Sequence, residues 1–353
     1  MVGRNIRYCR VMAGKSQTEL SRELGISLEK LKKYEGEKEL PDLKTMRQLS
    51  SLLGVKLADL MIVKSIGHKY EHCEYRKNSH FGKHGQEYVT VSVEDYLDRF
   101  FAVTESLGGS VLRDVPEIHS LKPSFDTERD AKHLRKMLGF AEYGAIPNLM
   151  TSLEDKGILI IQMEYEENFS GENGFVDGRP YIVVNSRMTV ERQRSTLAHE
   201  LGHIFFERPA KEDRNWEQYM TAVSGAFLFP REDALNELGE KRKGISSDML
   251  MVCREYGISL QMLAKRASVN GIITTDAYRW FNISINRSGQ RKKELSHIAP
   301  EKATLLEQLV LRATGEGSIT IQRGAELLKV GYREMELKMY PKEMYELNGT
   351  DKQ

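Results

Sequence analysis

The sequence predicts a mostly helical α+β protein: five short helices bundled at the N-terminus, a domain in which a small sheet leads into a histidine-bearing helix, and a helical C-terminal region. Three observations carry this expectation. Residues 1–64 break into short apolar-periodic stretches separated by glycine-containing turns. Strand-length apolar runs with a hairpin signal lie between residues 157 and 184. Helical periodicity returns at Thr189 and persists. The expected divisions are 1–64, a linker with a connector helix over 65–129, a domain over 130–285, and a C-terminal helical region over 286–353.

In the first segment the spacing predicts helices over Arg4 to Ala13, Gln17 to Leu24, Leu28 to Tyr34, Leu43 to Leu53 and Leu57 to Met61. Ser16 and Ser27 suit N-caps, and Gly25 permits the tight turn between the second and third helices. Ile6, Leu20, Leu24, Ile26, Leu31, Leu49, Leu52, Leu53, Leu57 and Leu60 supply the core. The stretch Ser16-Gln17-Thr18-Glu19-Leu20-Ser21-Arg22-Glu23-Leu24-Gly25-Ile26-Ser27, followed by Tyr34-Glu35-Gly36 and Leu40-Pro41, resembles the Xre/Cro family of helix-turn-helix DNA-binding domains over residues 4 to 61. The resemblance implies that Leu28 to Tyr34 enters the major groove, with Gln17, Leu28, Glu29, Lys32 and Lys33 facing DNA. It also implies that Arg10 and Glu35 pair between the first and third helices, a role in stability.

Charge agrees with an anionic partner. The whole chain is +1, but residues 1–64 hold 13 Lys and Arg against 8 Asp and Glu, a surplus of five. In the linker, Val91 to Leu107 has helical periodicity and fits a connector or a packing element between two copies of the chain. His68, His72, His80 and His84 put four of the nine histidines into 17 residues, next to Cys73; no pair of them has a recognised ligand spacing, so a solvated linker is expected.

From Asp130 to Asn185 the chain reads as the lead-in to the central helix. Leu134, Leu138 and Ile146 to Leu153 suggest helices, and Gly157 to Met163 a buried strand. Asn173 to Val176 and Arg179 to Val184 form a hairpin across Asp177-Gly178, a type I′ signal. Tyr181 to Val184 is the candidate for an exposed strand that could accept an extended peptide, with a plain sheet edge as the alternative.

The run Leu197-Ala198-His199-Glu200-Leu201-Gly202-His203 has the spacing of a zinc-peptidase centre. Two imidazoles four residues apart share a helix face and can bind one metal, while Glu200 between them can act on a water held there. Thr189 suits the N-cap, Glu191 the first turn, and Leu197, Leu201, Ile204 and Phe205 form the apolar stripe. Catalytic zinc keeps three protein ligands and one open position. Glu217, on a second helix that ends at Pro230, is the candidate third ligand, with Glu207, Glu212 and Asp213 as nearby acidic alternatives.

With Asn185-Ser186-Arg187 and Glu191-Arg192-Gln193-Arg194, these residues resemble the ImmA/IrrE family of zinc metallopeptidases. That family carries Glu-x-x-Ala-x-x-Phe-Ala and then Leu-Met-Pro where this chain has Glu217, Met220, Val223, Ser224, Leu228, Phe229 and Pro230. The resemblance implies a zincin-like metallopeptidase domain with Zn2+ on His199, His203 and Glu217, Glu200 as catalytic base, and a narrow protein substrate, typically a Xre-type repressor of stress, phage or mobile-element genes.

Asp248 to Tyr256 and Ser259 to Ala267 look like the C-terminal lobe of the same family. Arg287, Arg291, Lys292 and Lys293 mark a basic connector, and Ala303 to Arg312 with Ile321 to Leu328 suggest a helical pair for docking or dimerisation.

No apolar run approaches the roughly 18 to 20 residues a membrane helix needs, and the N-terminus lacks a signal-peptide core. Cys9, Cys73 and Cys253 are few, scattered and odd in number, which points to reduced thiols in a cytoplasm. The combined expectation is a cytoplasmic, homodimeric regulator that binds double-stranded operator DNA and carries a zinc-dependent endopeptidase of the His-Glu-x-x-His type. The competing expectation is a non-cleaving repressor, the antitoxin of a toxin-antitoxin operon, whose zinc domain is a sensor or a toxin-binding surface. Retention of Glu200 favours chemistry, because a structural site needs no base.

Overall fold

Local capping chemistry sets the helix ends of the N-terminal bundle. In the computed structural model, which describes residues 2–62, 67–72, 82–109, 111–166, 169–209, 215–289, 296 and 298–341, the first five helices are α1 (Val2–Met12), α2 (Gln17–Leu24), α3 (Leu28–Glu35), α4 (Leu43–Leu53) and α5 (Leu57–Met61). Ser16 Oγ accepts from the Glu19 amide at 3.1 Å while the Glu19 carboxylate accepts from the Ser16 amide at 2.8 Å, a complete capping box. Ser27 and Asp42 cap α3 and α4 through the amides of Lys30 and Thr45. Ile6, Cys9, Leu20, Leu24, Leu31, Met46, Leu49, Leu53 and Leu60 fill the core, with Ile26, Leu52 and Leu57 packed at its margin.

The structure falls into two compact units, and the first is discontinuous in sequence: residues 1–112 together with 304–353. Beyond α5 it contains the short strand β1 (Tyr70–His72) and the 24-residue helix α6 (Lys83–Ser106), which starts eight residues before the expected Val91. The chain returns to this unit much later as α15 (Leu305–Gly315), α16 (Ile321–Leu328) and α17 (Tyr332–Met339), and α15 and α16 pack on α6. Val89, Val93, Leu97, Phe100 and Val103 of α6 are buried, as are Leu309, Val310, Leu327 and Met335 of the returning helices. The Arg99 guanidinium donates to the Leu327 carbonyl, and Lys329 Nζ lies 2.6 Å from Asp95. The last helices therefore cover a face of the chain's own connector helix. The unit boundaries at 112/113 and 303/304 differ from the expected 64/65, 129/130 and 285/286, because this packing joins segments some 200 residues apart, which no local pattern encodes.

The second unit, residues 113–303, holds α7 (Thr127–Met137), α8 (Leu149–Glu154), β2 (Leu159–Met163), β3 (Gly171–Val176), β4 (Arg179–Asn185), α9 (Val190–Phe205), α10 (Trp216–Leu228), α11 (Arg231–Leu238), α12 (Met249–Tyr256), α13 (Leu260–Val269) and α14 (Thr275–Ser288). β4 pairs parallel with β2, Leu159 opposite Tyr181, and antiparallel with β3, Gly174 opposite Tyr181. Asp177 (φ 50°) and Gly178 (φ 78°) both take positive φ, the type I′ conformation expected of that dipeptide. Tyr181 to Val184 is not an exposed edge, however. It is paired on both sides and fully buried, so it cannot add a peptide strand. An uninterrupted apolar run is the mark of a strand covered on both faces.

α9 packs on β3 and β4, α10 crosses α9, and α7 lies against α10. Arg135 of α7 donates to the carbonyls of Phe227, Ala141 and Gly144, and burial pushes its pKa down to about 10. It still carries its charge near neutrality, tying α7 to the end of α10. Arg194 of α9 is buried against Glu301 and donates to the Ile146 and Tyr256 carbonyls, which anchors the first half of α9. Thr189 occupies the N-cap of α9 without making a side-chain cap bond; its hydroxyl is buried. Among the described residues no helix is long and apolar enough to cross a membrane.

Candidate metal centre and nucleic-acid interface

α9 is buried along most of its length, including His199, Glu200 and Gly202. The helical spacing puts His199 and His203 one turn apart with their Nε2 atoms 3.1 Å from each other. α10 brings Glu217 across, its Oε2 3.5 Å from both Nε2 atoms. These three form the one group of metal-ligating side chains found among the described residues, with all candidate donor atoms within 4.8 Å. Tetrahedral zinc with bonds of about 2.0–2.2 Å separates its ligand atoms by roughly 3.3–3.5 Å. The two histidine–glutamate separations match that and the histidine pair is slightly closer; two imidazoles with one carboxylate are a zinc donor set, so the residues fit the ion. Glu207 does not join the group; Glu212 and Asp213 lie outside the described residues.

The approach of α10 to α9 depends on Gly202. A Cβ built there would lie 2.7 Å from the Met220 sulfur, well inside contact distance. Met220, where the resembling family has Ala, thus occupies the space that a side chain at 202 would need. Trp216, at the N-terminal end of α10, meets the His203 ring edge to face at 6.5 Å between centroids and stacks on Tyr219 at 6.0 Å. The Glu217 side chain is 46% exposed while the two histidines are 11% and 16%, so the group opens to solvent on the glutamate side.

Glu200 stands apart from the ligating group. Its carboxylate is buried, and Oε2 accepts from Asn173 Nδ2 of β3 at 2.6 Å. Sequence reasoning missed Asn173, although an Asn inside a strand is unfavourable enough to have been a signal. It also missed Thr221, one turn beyond Glu217, whose Oγ1 donates to the Glu217 carbonyl at 2.8 Å and lies 3.3 Å from His199 Nδ1. Asn185 is a buried hub: its side-chain nitrogen donates to the carbonyls of Tyr165, Glu166 and Phe169, and its oxygen accepts from the Tyr165 and Arg187 amides.

In the first unit α3 buries Leu31, Tyr34 and Glu35 and turns Leu28, Glu29, Lys32 and Lys33 outward. Lys33 Nζ lies 3.9 Å from the Glu29 carboxylate one turn earlier. Arg10, wholly buried, donates to Glu35 at 2.6 Å, so the pairing of α1 with α3 is present. Gln17 Nε2 donates to Glu35 Oε2 at 2.6 Å, which commits one of its amide hydrogens inside the bundle. In the linker segment, His68 stacks on Phe101 and lies 3.4 Å from Glu105, and His72 lies 3.3 Å from Glu94; Cys73 and His80 lie outside the described residues.

A five-helix bundle with an outward third helix is the architecture of a helix-turn-helix protein, and two histidines one turn apart facing a carboxylate from a crossing helix is that of a His-Glu-x-x-His metal centre. Comparison with known proteins agrees at the level of the two domains. Residues 3–66 match the family model described as a helix-turn-helix domain, and residues 153–268 match the peptidase model described as the IrrE N-terminal-like domain. Over 55 residues, 16% of this chain, the sequence is 44% identical to the SPbeta prophage-derived uncharacterized HTH-type transcriptional regulator YonR of Bacillus subtilis (strain 168), and the match spans about half (51%) of that relative's length. No solved structure matches the chain. The chain thus carries a Xre-type helix-turn-helix domain followed by an ImmA/IrrE-like domain.

Proposed function

We propose that the protein is a cytoplasmic DNA-binding transcriptional regulator whose second unit is a zinc-dependent endopeptidase, acting on a Xre-type repressor in a stress, phage or mobile-element response. The observation that carries the enzymatic part is Glu200: a buried carboxylate that follows His199 on α9, lies outside the ligating group and is held by a donor from a neighbouring strand. A structural metal site has no use for such a group. Zinc on His199, His203 and Glu217 would polarise a peptide carbonyl and acidify water beside it. Glu200 takes the proton of the attacking water and delivers it to the leaving amine, while Asn173 keeps the carboxylate oriented.

In the regulatory part, Lys32 and Lys33 neutralise phosphates, Gln17 holds a phosphate through its remaining amide hydrogen, and Leu28 and Glu29 meet base edges. A carboxylate repels phosphates but accepts from a cytosine amino group, so Glu29 contributes selection rather than attraction. A homodimer would read an inverted repeat with half-sites about 34 Å apart.

Co-expression with Xre-type repressors encoded nearby tests the enzymatic part. Wild type should cut one of them, and Glu200→Gln should bind zinc but leave it whole. If zinc is bound and both proteins leave every repressor intact, the non-cleaving antitoxin takes the place of the peptidase. A footprint of full-length protein on its own promoter tests the rest: the expected result is a protected inverted repeat, and protection that ignores sequence would remove operator binding.

A further inference from the structure

We infer that Thr221 is a positioning residue for the metal centre, fixing the His199 ring in the tautomer that carries its hydrogen on Nδ1 and leaves the Nε2 lone pair for the metal. The inference rests on the metal-centre assignment proposed above. A threonine hydroxyl has one hydrogen and two lone pairs. Thr221 Oγ1 is 2.8 Å from the Glu217 carbonyl oxygen, which can only accept, so the single hydrogen lies there. The same Oγ1 is 3.3 Å from His199 Nδ1, and toward that nitrogen it can then act only as acceptor. Nδ1 must be the donor.

A neutral imidazole has one N–H, so Nε2 is bare. Nε2 is the nitrogen that faces the rest of the group, 3.1 Å from His203 Nε2 and 3.5 Å from Glu217 Oε2. The opposite arrangement, with the hydrogen on Nε2, would aim an N–H at the place where the ligands converge. One hydroxyl thereby joins the backbone of the third ligand to the ring of the first. A partner that holds the second nitrogen of a metal-binding histidine commonly accounts for about 10–100-fold in metal affinity. Thr221 is itself exposed, so its replacement removes no core packing.

The test compares Thr221→Val, which keeps the shape and loses the hydroxyl, with Thr221→Ser, which keeps the hydroxyl, in the full chain. Two quantities are read: zinc affinity by chelator competition, and the His199 tautomer in zinc-stripped protein from two-bond 1H–15N correlations, assigned with His199→Gln. Wild type and Thr221→Ser should show the hydrogen on Nδ1 and equal zinc affinity. Thr221→Val should lose the Nδ1–H preference and bind zinc about 10–100-fold more weakly. An unchanged tautomer and affinity in Thr221→Val would overturn the inference. If wild type itself bound no zinc, the metal assignment would fail, and the tautomer comparison would still decide the role of Thr221: loss of the Nδ1–H preference in Thr221→Val supports it, and no change overturns it.

Discussion

Asn173 reaches Glu200 from a strand, and Thr221 reaches His199 from a second helix, so these two side chains are each held by a neighbour on a different element. Removing the Asn173 amide leaves a buried carboxylate short of a donor. A hydrogen bond to a charged group contributes about 1.5–3 kcal/mol. Asn173→Ala should therefore lower unfolding stability by about that amount, leave zinc content unchanged and reduce kcat on a cleaved repressor far more than it changes KM. Equal kcat in the variant would return Asn173 to a purely structural role. His199, Glu200 and His203 were legible from their spacing alone, because a helix converts four residues into one turn. Asn173 and Thr221 were not, since their contacts exist only once strand and helices have docked.

At the scale of elements, the seam between α9 and α10 is set by Gly202 and Met220. Gly202→Ala places a methyl against the Met220 sulfur and should cost about 1–3 kcal/mol by overpacking, with weaker zinc binding as Glu217 moves away. Adding Met220→Ala should restore the affinity; a double variant as weak as the single one would show that the seam does not position the glutamate.

A second seam joins α1 to α6. Arg4, Arg7 and Arg10, three residues apart on α1, meet Glu87, Glu94 and Asp98 of α6. Part of the surplus of five positive charges in residues 1–64 is thus neutralised inside the unit, and the sequence count overstates what α3 and its surroundings offer to DNA. Burial opposes ionisation of Glu87 and Glu94. Hydrogen bonds from Arg10 and Arg7 to Glu87, and from His72 to Glu94 with Arg4 and Arg7 close by, nevertheless hold both below the usual carboxylate range. A depressed folded pKa adds stability above the unfolded value that is lost as pH falls through the folded one. The first unit should accordingly lose stability as pH drops below about 4, and Glu87→Gln should flatten that slope when unfolding is followed against pH. An unchanged slope would contradict the pairing.

The five helices of the N-terminal bundle were readable almost to the residue, because their ends are written in Ser16, Ser27, Asp42, Gly25 and Gly54. The central position of β4 is written in the unbroken apolar run Tyr181 to Val184, the mark of a strand covered on both faces and not of an open edge.

At the scale of the whole molecule, the first unit closes on itself through a segment that begins after the second unit ends. A chain ending at Ala303 would uncover the α6 face that α15 and α16 pack on and would leave buried Asp95 without Lys329. Its thermal midpoint for the helix-turn-helix unit should fall by several degrees, although no residue of 3–66 has been touched. A midpoint equal to wild type would make 304–353 a mere appendage. Composition and periodicity found α15 and α16 but not their destination, which is a contact between distant parts of the chain.

The claim on which the rest depends is the zinc centre, and metal content measures it directly. Protein purified without chelator should hold one zinc per chain, and His199→Ala with His203→Ala should abolish it while the fold by circular dichroism persists; full occupancy in that double variant would contradict the account.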